Sequence, residues 1–441
     1  MSSNIQTYSQ SYFASCAVGL EEVLSKEIQA LGGKKATLER GGVEFKGPEI
    51  TAIKVILNSR TASRVYKKLY SSPIRTEKNV YDMSRSIPWN SVFSLEQTFK
   101  IKTLIGYGIQ TFYPDSFKNS VYLSQTLKDG IVDFFKSKFK DRPNVNTEKA
   151  DINLLLRISI SNKDKFLLTA SLTASVFMDL CGNSLHQRGY RITAGEAPVK
   201  ENMAAGIIKL MEWDQEKDLF IDSMCGSGTF LIEAALIKAD IPPSFLKVMK
   251  FSKNPELRPW IFLGTNFFLN NPALKEEFNN EILSCKQRIE DGYKKLRAEE
   301  PKIFGFDINT DTIRACAENI SAISLSEAIK VKQIDATKLK WEGEEKGVVF
   351  CNPPYGERLG GANANSASGG WRGPGSSDEN EKLKKLYFEY GENLKNNFKG
   401  FKAYVFTGNP ELKDSISLAP SRKIPLFNGP IECRLLKYEL Y

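Results

Sequence analysis

The stretch Lys217–Ala239, KDLFIDSMCGSGTFLIEAALIKA, decides how this chain is read. Leu219-Phe-Ile221 is short and continuously apolar, as a strand buried on both faces must be. Asp222 ends it, the turn Ser-Met-Cys225-Gly226-Ser-Gly228 follows, and from Thr229 onward the apolar residues run as a helix. Glycine at a strand-to-helix handover lets the backbone approach a ligand closely, and the helix start offers free N–H groups. A small-residue turn on its own can equally be structural.

Working outward, the next apolar runs are KIFGFDIN (302–309), IKVKQIDA (329–336), GVVFCNPPYG (347–356) and KAYVFTGN (402–409). PLFNGPIECRLLKYEL (425–440) reads as a hairpin over Asn428-Gly429. Buried strands alternating with helices predict a doubly wound, mostly parallel α/β sheet with an antiparallel end. Residues 270–300 carry Leu274, Phe278, Ile282, Ile289, Tyr293 and Leu296 at helical steps, an inserted amphipathic helix. Residues 359–378, LGGANANSASGGWRGPGSSD, are a long polar loop.

The acids fall into a pattern on this frame. Asp222, Asp307 and Asp335 each close a successive strand, which places all three at one edge of the sheet. A single such acid is often a turn or cap residue; in doubly wound folds an acid at this place binds ribose hydroxyls.

Asn352-Pro353-Pro354-Tyr355 ends the next strand. Two prolines cannot donate to a ladder, and they hold an extended backbone whose carbonyls face outward. The Asn352 side-chain oxygen and the Pro353 carbonyl can each accept one N–H of an exocyclic amine, leaving the nitrogen lone pair aimed at an incoming group. Tyr355 can stack on a base. A rigid turn is the plain alternative. Cys351, just before this turn, reads as a packed strand cysteine rather than a nucleophile.

Upstream, the pattern is α+β. Helices are expected at 16–31, near 50–70 and at 119–139, and strands at 42–46, 99–106, 152–160 and 165–173, the last two as a hairpin over Asn162-Lys163-Asp164. The net charge of +9 is uneven: residues 1–184 hold 25 Lys and Arg against 17 Asp and Glu, whereas residues 185–441 hold 36 against 35. Within residues 51–142 the count is 16 against 7, with Arg60, Arg64, Lys67 and Lys68 expected on neighbouring helical turns. A basic half joined to a neutral half suggests a polyanion-binding module beside a catalytic one. Arg188 and Arg191 are candidates for RNA phosphate or for holding the linker between the two.

Composition excludes other classes. No run approaches the roughly 18 apolar residues of a membrane helix, and the first residues lack signal-peptide order, so a soluble cytoplasmic protein is expected. Seven cysteines, widely spaced and never C-x-x-C, argue against a disulfide framework or zinc ribbon. One histidine, His186, makes a histidine metal site or a Ser-His-Asp triad improbable, and no metal is expected.

D-x-x-C-G-S-G-T, the later acids and N-P-P-Y-G-E-R-L together resemble the S-adenosylmethionine-dependent amino-methyltransferases, specifically the THUMP-containing RNA guanine-N2 group. Within it the likeness is to the bacterial large-subunit rRNA enzymes, the amino-terminal half of the fused K/L form. SLHQRGYR (184–191), APVKE (197–201), SCAVGLEE (15–22) and the interval 307 − 222 = 85 between the first two acids belong to the same likeness. The polar loop at 359–378 is longer than is usual after G-E-R-L.

The resemblance implies a Rossmann-like methyltransferase domain over 185–441, a THUMP module over 71–175 and a ferredoxin-like unit over 1–70. It implies that Asp222, Cys225, Gly226, Gly228 and Thr229 line the cofactor, Asp307 takes its ribose hydroxyls and Asp335 its adenine amine. Pro198, Lys200 and Glu201 would close over it, and Asn352, Pro353, Pro354 and Tyr355 would hold a flipped guanine. The implied substrate is RNA, rRNA ahead of tRNA. Adenine-N6 and protein-glutamine methyltransferases also use N-P-P-Y, but the basic front half and G-E-R-L speak against them; an inactive RNA-binding relative is opposed by the intact acids.

Overall fold

The computed structural model describes residues 11–106, 109, 115–160, 172–192, 199–354, 377–409 and 412–441. Two seven-stranded sheets organise them.

The first sheet has the order β2-β3-β1-β4-β7-β6-β5. Its strands are β1 (Ser11–Ser15), β2 (Lys34–Glu39), β3 (Gly42–Lys46), β4 (Arg64–Ile74), β5 (Phe99–Ile105), β6 (Ile152–Ile160) and β7 (Leu172–Asp179). All neighbours pair antiparallel except the parallel β5 and β6. Helices α1 (Glu21–Ala30), α2 (Glu49–Asn58), α3 (Glu77–Ser86) and α4 (Ser120–Phe139) accompany it. The ferredoxin-like unit and the THUMP module expected on either side of residue 70 therefore share one continuous sheet, joined along β4 and β7.

One expectation is corrected here. The helix expected near 50–70 stops at Asn58, and Arg64 to Lys68 lie on β4, paired with β1 and β7. Val65 is buried in this strand and the basic residues flank it, a strand pattern that the preceding apolar helix masked. The hairpin turn at 162–164 and most of the strand expected at 165–173 lie outside the described residues; β7 runs from Leu172 to Asp179 and pairs antiparallel with β6.

The second sheet has the order β10-β9-β8-β11-β12-β14-β13. It comprises β8 (Leu219–Asp222), β9 (Ile303–Asp307), β10 (Ile329–Gln333), β11 (Gly347–Cys351), β12 (Lys402–Thr407), β13 (Arg422–Asn428) and β14 (Ile431–Glu439). Strands β10 to β12 through β8 are parallel; β14 runs antiparallel to β12. Helices α5 (Glu201–Leu210), α6 (Thr229–Lys238), α7 (Phe245–Lys253), α8 (Pro272–Ala298), α9 (Thr310–Ala322) and α10 (Ser377–Asn397) connect or cover its strands. The strand order reverses between β8 and β11, and in open α/β sheets ligands bind beyond the carboxyl ends at such a point.

Period-two alternation splits the core. Phe220, Phe350, Tyr404 and Phe406 face α6, where Phe350 meets Phe230 at a 4.2 Å ring separation. Leu219, Ile221, Val349, Ala403 and Val405 face α10, against Tyr387, Tyr390 and Leu394. Full burial of one such large side chain contributes about 1.5–3 kcal/mol, so both helices are held to the sheet under the site. Among the described residues, no helix is long and apolar enough to cross a membrane.

Candidate active site

Strand β8 delivers Asp222 to the carboxyl edge almost completely buried, with 1% exposure. The turn after it is tied to both neighbours. Ser223 donates its amide (2.9 Å) and hydroxyl (3.0 Å) to the Phe350 carbonyl of β11, and the Cys225 amide donates to the Phe306 carbonyl of β9 at 2.8 Å. Gly226 and Gly228 take φ of +54° and +85°, the left-handed region that other residues enter at a cost. A Cβ on Gly228 would lie 2.6 Å from Cys316 Sγ, whereas one on Gly226 would meet nothing within 4 Å. Gly228 is needed for packing; Gly226 borders open space.

The acids differ in environment. Burial is the main reason the Asp222 carboxyl is pushed up to about 8, with nearby Asp307 adding to the rise and the Met224 amide opposing it. Asp307 accepts the Gly226 amide at 3.2 Å and the Asn309 amide at 2.9 Å, so it fixes both the glycine turn and the start of α9. Asp335 lies two residues beyond β10 and accepts from the Thr337 amide (2.9 Å) and hydroxyl (2.8 Å), a local cap. Asp222 and Asp307 are therefore brought together, and Asp335 stands beyond the neighbouring strand.

On the other side of the reversal, β11 ends at Cys351 and releases Asn352-Pro353-Pro354. Asn352 Oδ1 is buried and has no hydrogen-bond partner among the described residues. An acceptor left so costs about 1–3 kcal/mol, which an incoming N–H would recover. Pro353 is buried and Pro354 exposed. Cys351 is fully buried and its thiol is pushed well up by burial, as a packed strand cysteine should be. Tyr355, Pro198 and the loop at 359–378 lie outside the described residues, apart from the first two residues of α10.

Arg191 ties Val199, just before α5, to Thr229 at the start of α6. The Arg191 guanidinium donates to the Val199 carbonyl (3.2 Å) and the Thr229 hydroxyl (3.1 Å) and lies 3.5 Å from Glu201. Glu201 is buried, its pKa is raised mainly by burial, and Oε2 has no hydrogen-bond partner among the described residues. Lys200 is exposed and its carbonyl accepts the first turn of α5. The neighbouring Cys316 thiol and burial push the Cys225 thiol well up. His186 bonds Ser184 and is pushed down to about 4 by burial and then by the cations Lys200, Arg188, Arg191 and Arg64, so it is neutral at pH 7 and points away from proton transfer.

Two of the cations expected to grip RNA, Arg60 and Arg188, are buried, and this is a correction. Arg60 is 6% exposed and donates to the Leu236 and Ile241 carbonyls at the end of α6. Arg188, 4% exposed, donates to the Arg60 and Leu185 carbonyls beside Glu233. Arg64 pairs with Asp179, Lys67 with Glu49 and the Phe267 ring, and Lys68 with Glu44. For Arg60 and Arg188 the physical reason is the joint itself, where buried carbonyls need donors; the carboxylates that pair with Arg64, Lys67 and Lys68 belong to the first sheet and its helices. A charge count cannot distinguish a solvated cation from one spent on such a joint.

Sequence reasoning missed Tyr387, Tyr390 and Asn319. Tyr390 Oη lies 2.8 Å from Ser223 Oγ, and Tyr387 Oη lies 3.4 Å from the Pro354 carbonyl. Asn319 on α9 accepts the Ile192 amide and donates to the Ser227 carbonyl. The three-residue spacing of the tyrosines marks one helix face, but nothing local reveals their partners.

Chemically, the site offers two carboxyls at adjoining strand ends, an open glycine turn and, across the strand reversal, a buried amide oxygen with no partner among the described residues. It fits a nucleoside on the carboxyl side and an amine on the Asn352 side. Among the described residues, no group of three His, Cys, Asp or Glu could hold a metal ion.

Comparison with known proteins agrees with this architecture. Residues 188–367 match the RMKL-like methyltransferase domain, residues 11–66 the RlmL ferredoxin-like domain and residues 75–163 the THUMP domain. A ribosomal RNA large subunit methyltransferase K/L of Syntrophotalea carbinolica is 32% identical over 97% of this chain and 53% of its own length. That of Cellvibrio japonicus is 34% identical over 97% of this chain and 51% of its own. The chain thus spans about half the length of the curated relatives it matches. Among solved structures, SMU.472, a candidate methyltransferase complexed with SAH, is 26% identical, covers 99% of both chains and superposes with a TM-score of 0.74.

Proposed function

We propose that this chain, which matches the RlmL ferredoxin-like, THUMP and RMKL-like methyltransferase domains and resembles the large-subunit rRNA methyltransferases K/L, methylates the exocyclic N2 of a guanine in large-subunit rRNA, in the cytoplasm, using S-adenosylmethionine. The observation that carries the reading is Asn352 Oδ1, buried and without a hydrogen-bond partner among the described residues, at the end of β11 and across the strand reversal from Asp222 and Asp307.

S-adenosylmethionine, when bound, supplies an electrophilic methyl group on its sulfonium. Asp307 has carboxylate lone pairs for ribose hydroxyls, Asp335 for an adenine amine, and Gly226 leaves room beside the turn for the rest of the nucleoside. Glu201, whose Oε2 has no hydrogen-bond partner among the described residues, offers a further acceptor. Asn352 Oδ1 and the Pro353 carbonyl accept the two N–H groups of the target amine. That arrangement holds the nitrogen lone pair outward and in line, and positioning of this kind is the main source of rate. The amine proton leaves after attack, so no strong base is required; a neutral His186 is consistent with that. Reaching N2 requires the guanine to leave its stack.

The test is incubation with labelled S-adenosylmethionine and separate pools of undermodified large-subunit rRNA and tRNA, followed by nucleoside analysis. Label in N2-methylguanosine from rRNA supports the reading. Label in N2-methylguanosine from tRNA alone moves the substrate to tRNA, and methyladenosine or labelled protein overturns the guanine assignment.

A further inference from the structure

The N-P-P turn has few soft torsions. Each proline ring fixes its own φ, so between Asn352 and residue 355 the direction of the carbonyls depends on the ψ angles alone. Its near end is anchored, because Cys351 pairs with Val405 of β12 inside the sheet. Its far end is anchored by a side chain from another element. Tyr387 Oη, on a residue only 2% exposed, donates to the Pro354 carbonyl at 3.4 Å and lies 3.0 Å from Thr407 Oγ1. Thr407 Oγ1 in turn accepts the Asn409 amide at 3.2 Å.

The Tyr387 hydroxyl has a single proton; with that proton given to the Pro354 carbonyl it accepts from Thr407, so the chain runs Asn409 to Thr407, Thr407 to Tyr387, Tyr387 to Pro354. A hydroxyl that also accepts a bond is a better donor, which strengthens the last link. We propose that Tyr387 is a positioning residue for the acceptor amine, aiming the Pro353 carbonyl by holding the Pro354 carbonyl at the end of this one-way hydrogen-bond chain. This rests on the methyl-transfer reading above. Three residues along the same helix face, Tyr390 meets Ser223, whose hydroxyl donates to Phe350. Helix α10 thereby holds the turns on both sides of the strand reversal, one tyrosine to each.

The test uses the full chain with Tyr387→Phe, Thr407→Val, Thr407→Ser and the Phe/Val double variant. Methyl transfer, affinity for S-adenosylhomocysteine and melting temperature are measured for each. Tyr387→Phe keeps the ring and its packing, so the expectation is a kcat loss of about ten-fold or more, with cofactor affinity within two-fold of wild type and melting little changed. Thr407→Val should lose a similar factor, Thr407→Ser should retain activity, and the double variant should be no worse than Tyr387→Phe because one chain is cut once or twice. Unchanged kcat in Tyr387→Phe overturns the proposal, as does a loss matched by equal losses of cofactor affinity and melting temperature. If wild type methylates no RNA pool, the methyl-transfer reading is what fails. Exchange of the Asn409 amide then decides the chain: about ten-fold faster in Tyr387→Phe supports it, and an unchanged rate overturns it.

Discussion

The Gly226 amide donates to Asp307 Oδ2 at 3.2 Å, so the glycine turn after the first strand is held by the acid at the end of the second. The other oxygen of Asp307 accepts the Asn309 amide at 2.9 Å. One carboxylate thus shapes the floor of the site before it meets any ligand.

Asp307→Ala should remove both of these bonds and the lone pairs offered to ribose. Each charged hydrogen bond contributes about 1.5–3 kcal/mol, so affinity for S-adenosylhomocysteine should fall by about 100-fold. Asp307→Asn keeps one acceptor oxygen and should lose less. Calorimetric titration separates the two; equal affinity in Asp307→Ala and wild type would remove Asp307 from the site.

The two glycines should fail differently. Gly228→Ala combines a φ of +85° with a Cβ 2.6 Å from Cys316 Sγ, and should melt several degrees lower than wild type. Gly226→Ala meets no atom within 4 Å, so its fold should lose only about 1–2 kcal/mol for the left-handed backbone. Its methyl nevertheless enters the open space beside the turn, so cofactor binding should drop out of proportion to stability. Melting curves and titrations on both variants check this.

Burial that raises the Asp222 carboxyl to about 8 makes stability depend on pH. An unfolded aspartate releases its proton near pH 3.9, about as in model peptides. Between there and about pH 8 the folded chain holds a proton that the unfolded chain has lost, so this group's contribution falls as pH rises, and levels off above. Asp222→Asn is neutral throughout. Its melting temperature should gain on wild type steadily from pH 5 to pH 8, and a constant difference across that range would contradict the assignment.

Arg60 should behave as a joint rather than as a phosphate contact. Arg60→Met removes donors to the Leu236 and Ile241 carbonyls and should cost about 2–3 kcal/mol of stability. The slope of log Kd for RNA against log salt should not change. A cation that contacts phosphate would lower that slope by about one, which filter binding across a salt series would reveal.

The carboxyl edge of the second sheet was legible because strand, turn and helix there are written in contiguous residues. Leu219 to Thr229 specify a buried strand, a left-handed glycine turn and a helix start by local sterics alone, and Asn352-Pro353-Pro354 specifies an extended turn in the same way. Arg60 to Lys68 were not legible. Their charge is local, but the carboxylates and carbonyls that consume it come from residues 44, 49, 179, 236 and 241. The end of the helix at Asn58 was lost for a related reason, since only pairing with β1 and β7 makes a strand of the following residues.

The sequence by itself therefore determined the α/β frame, the residues at strand ends and the chemistry they can offer, because these depend on backbone sterics and side-chain type at short range. Only the tertiary structure decided which groups remain free to act. It turned Arg60 and Arg188 onto carbonyls inside the joint, left Asn352 Oδ1 buried without a partner among the described residues, and brought Tyr387 and Tyr390 from a distant helix onto the two turns. Hydrogen-bond satisfaction is settled between segments far apart in the chain, and no local pattern records it.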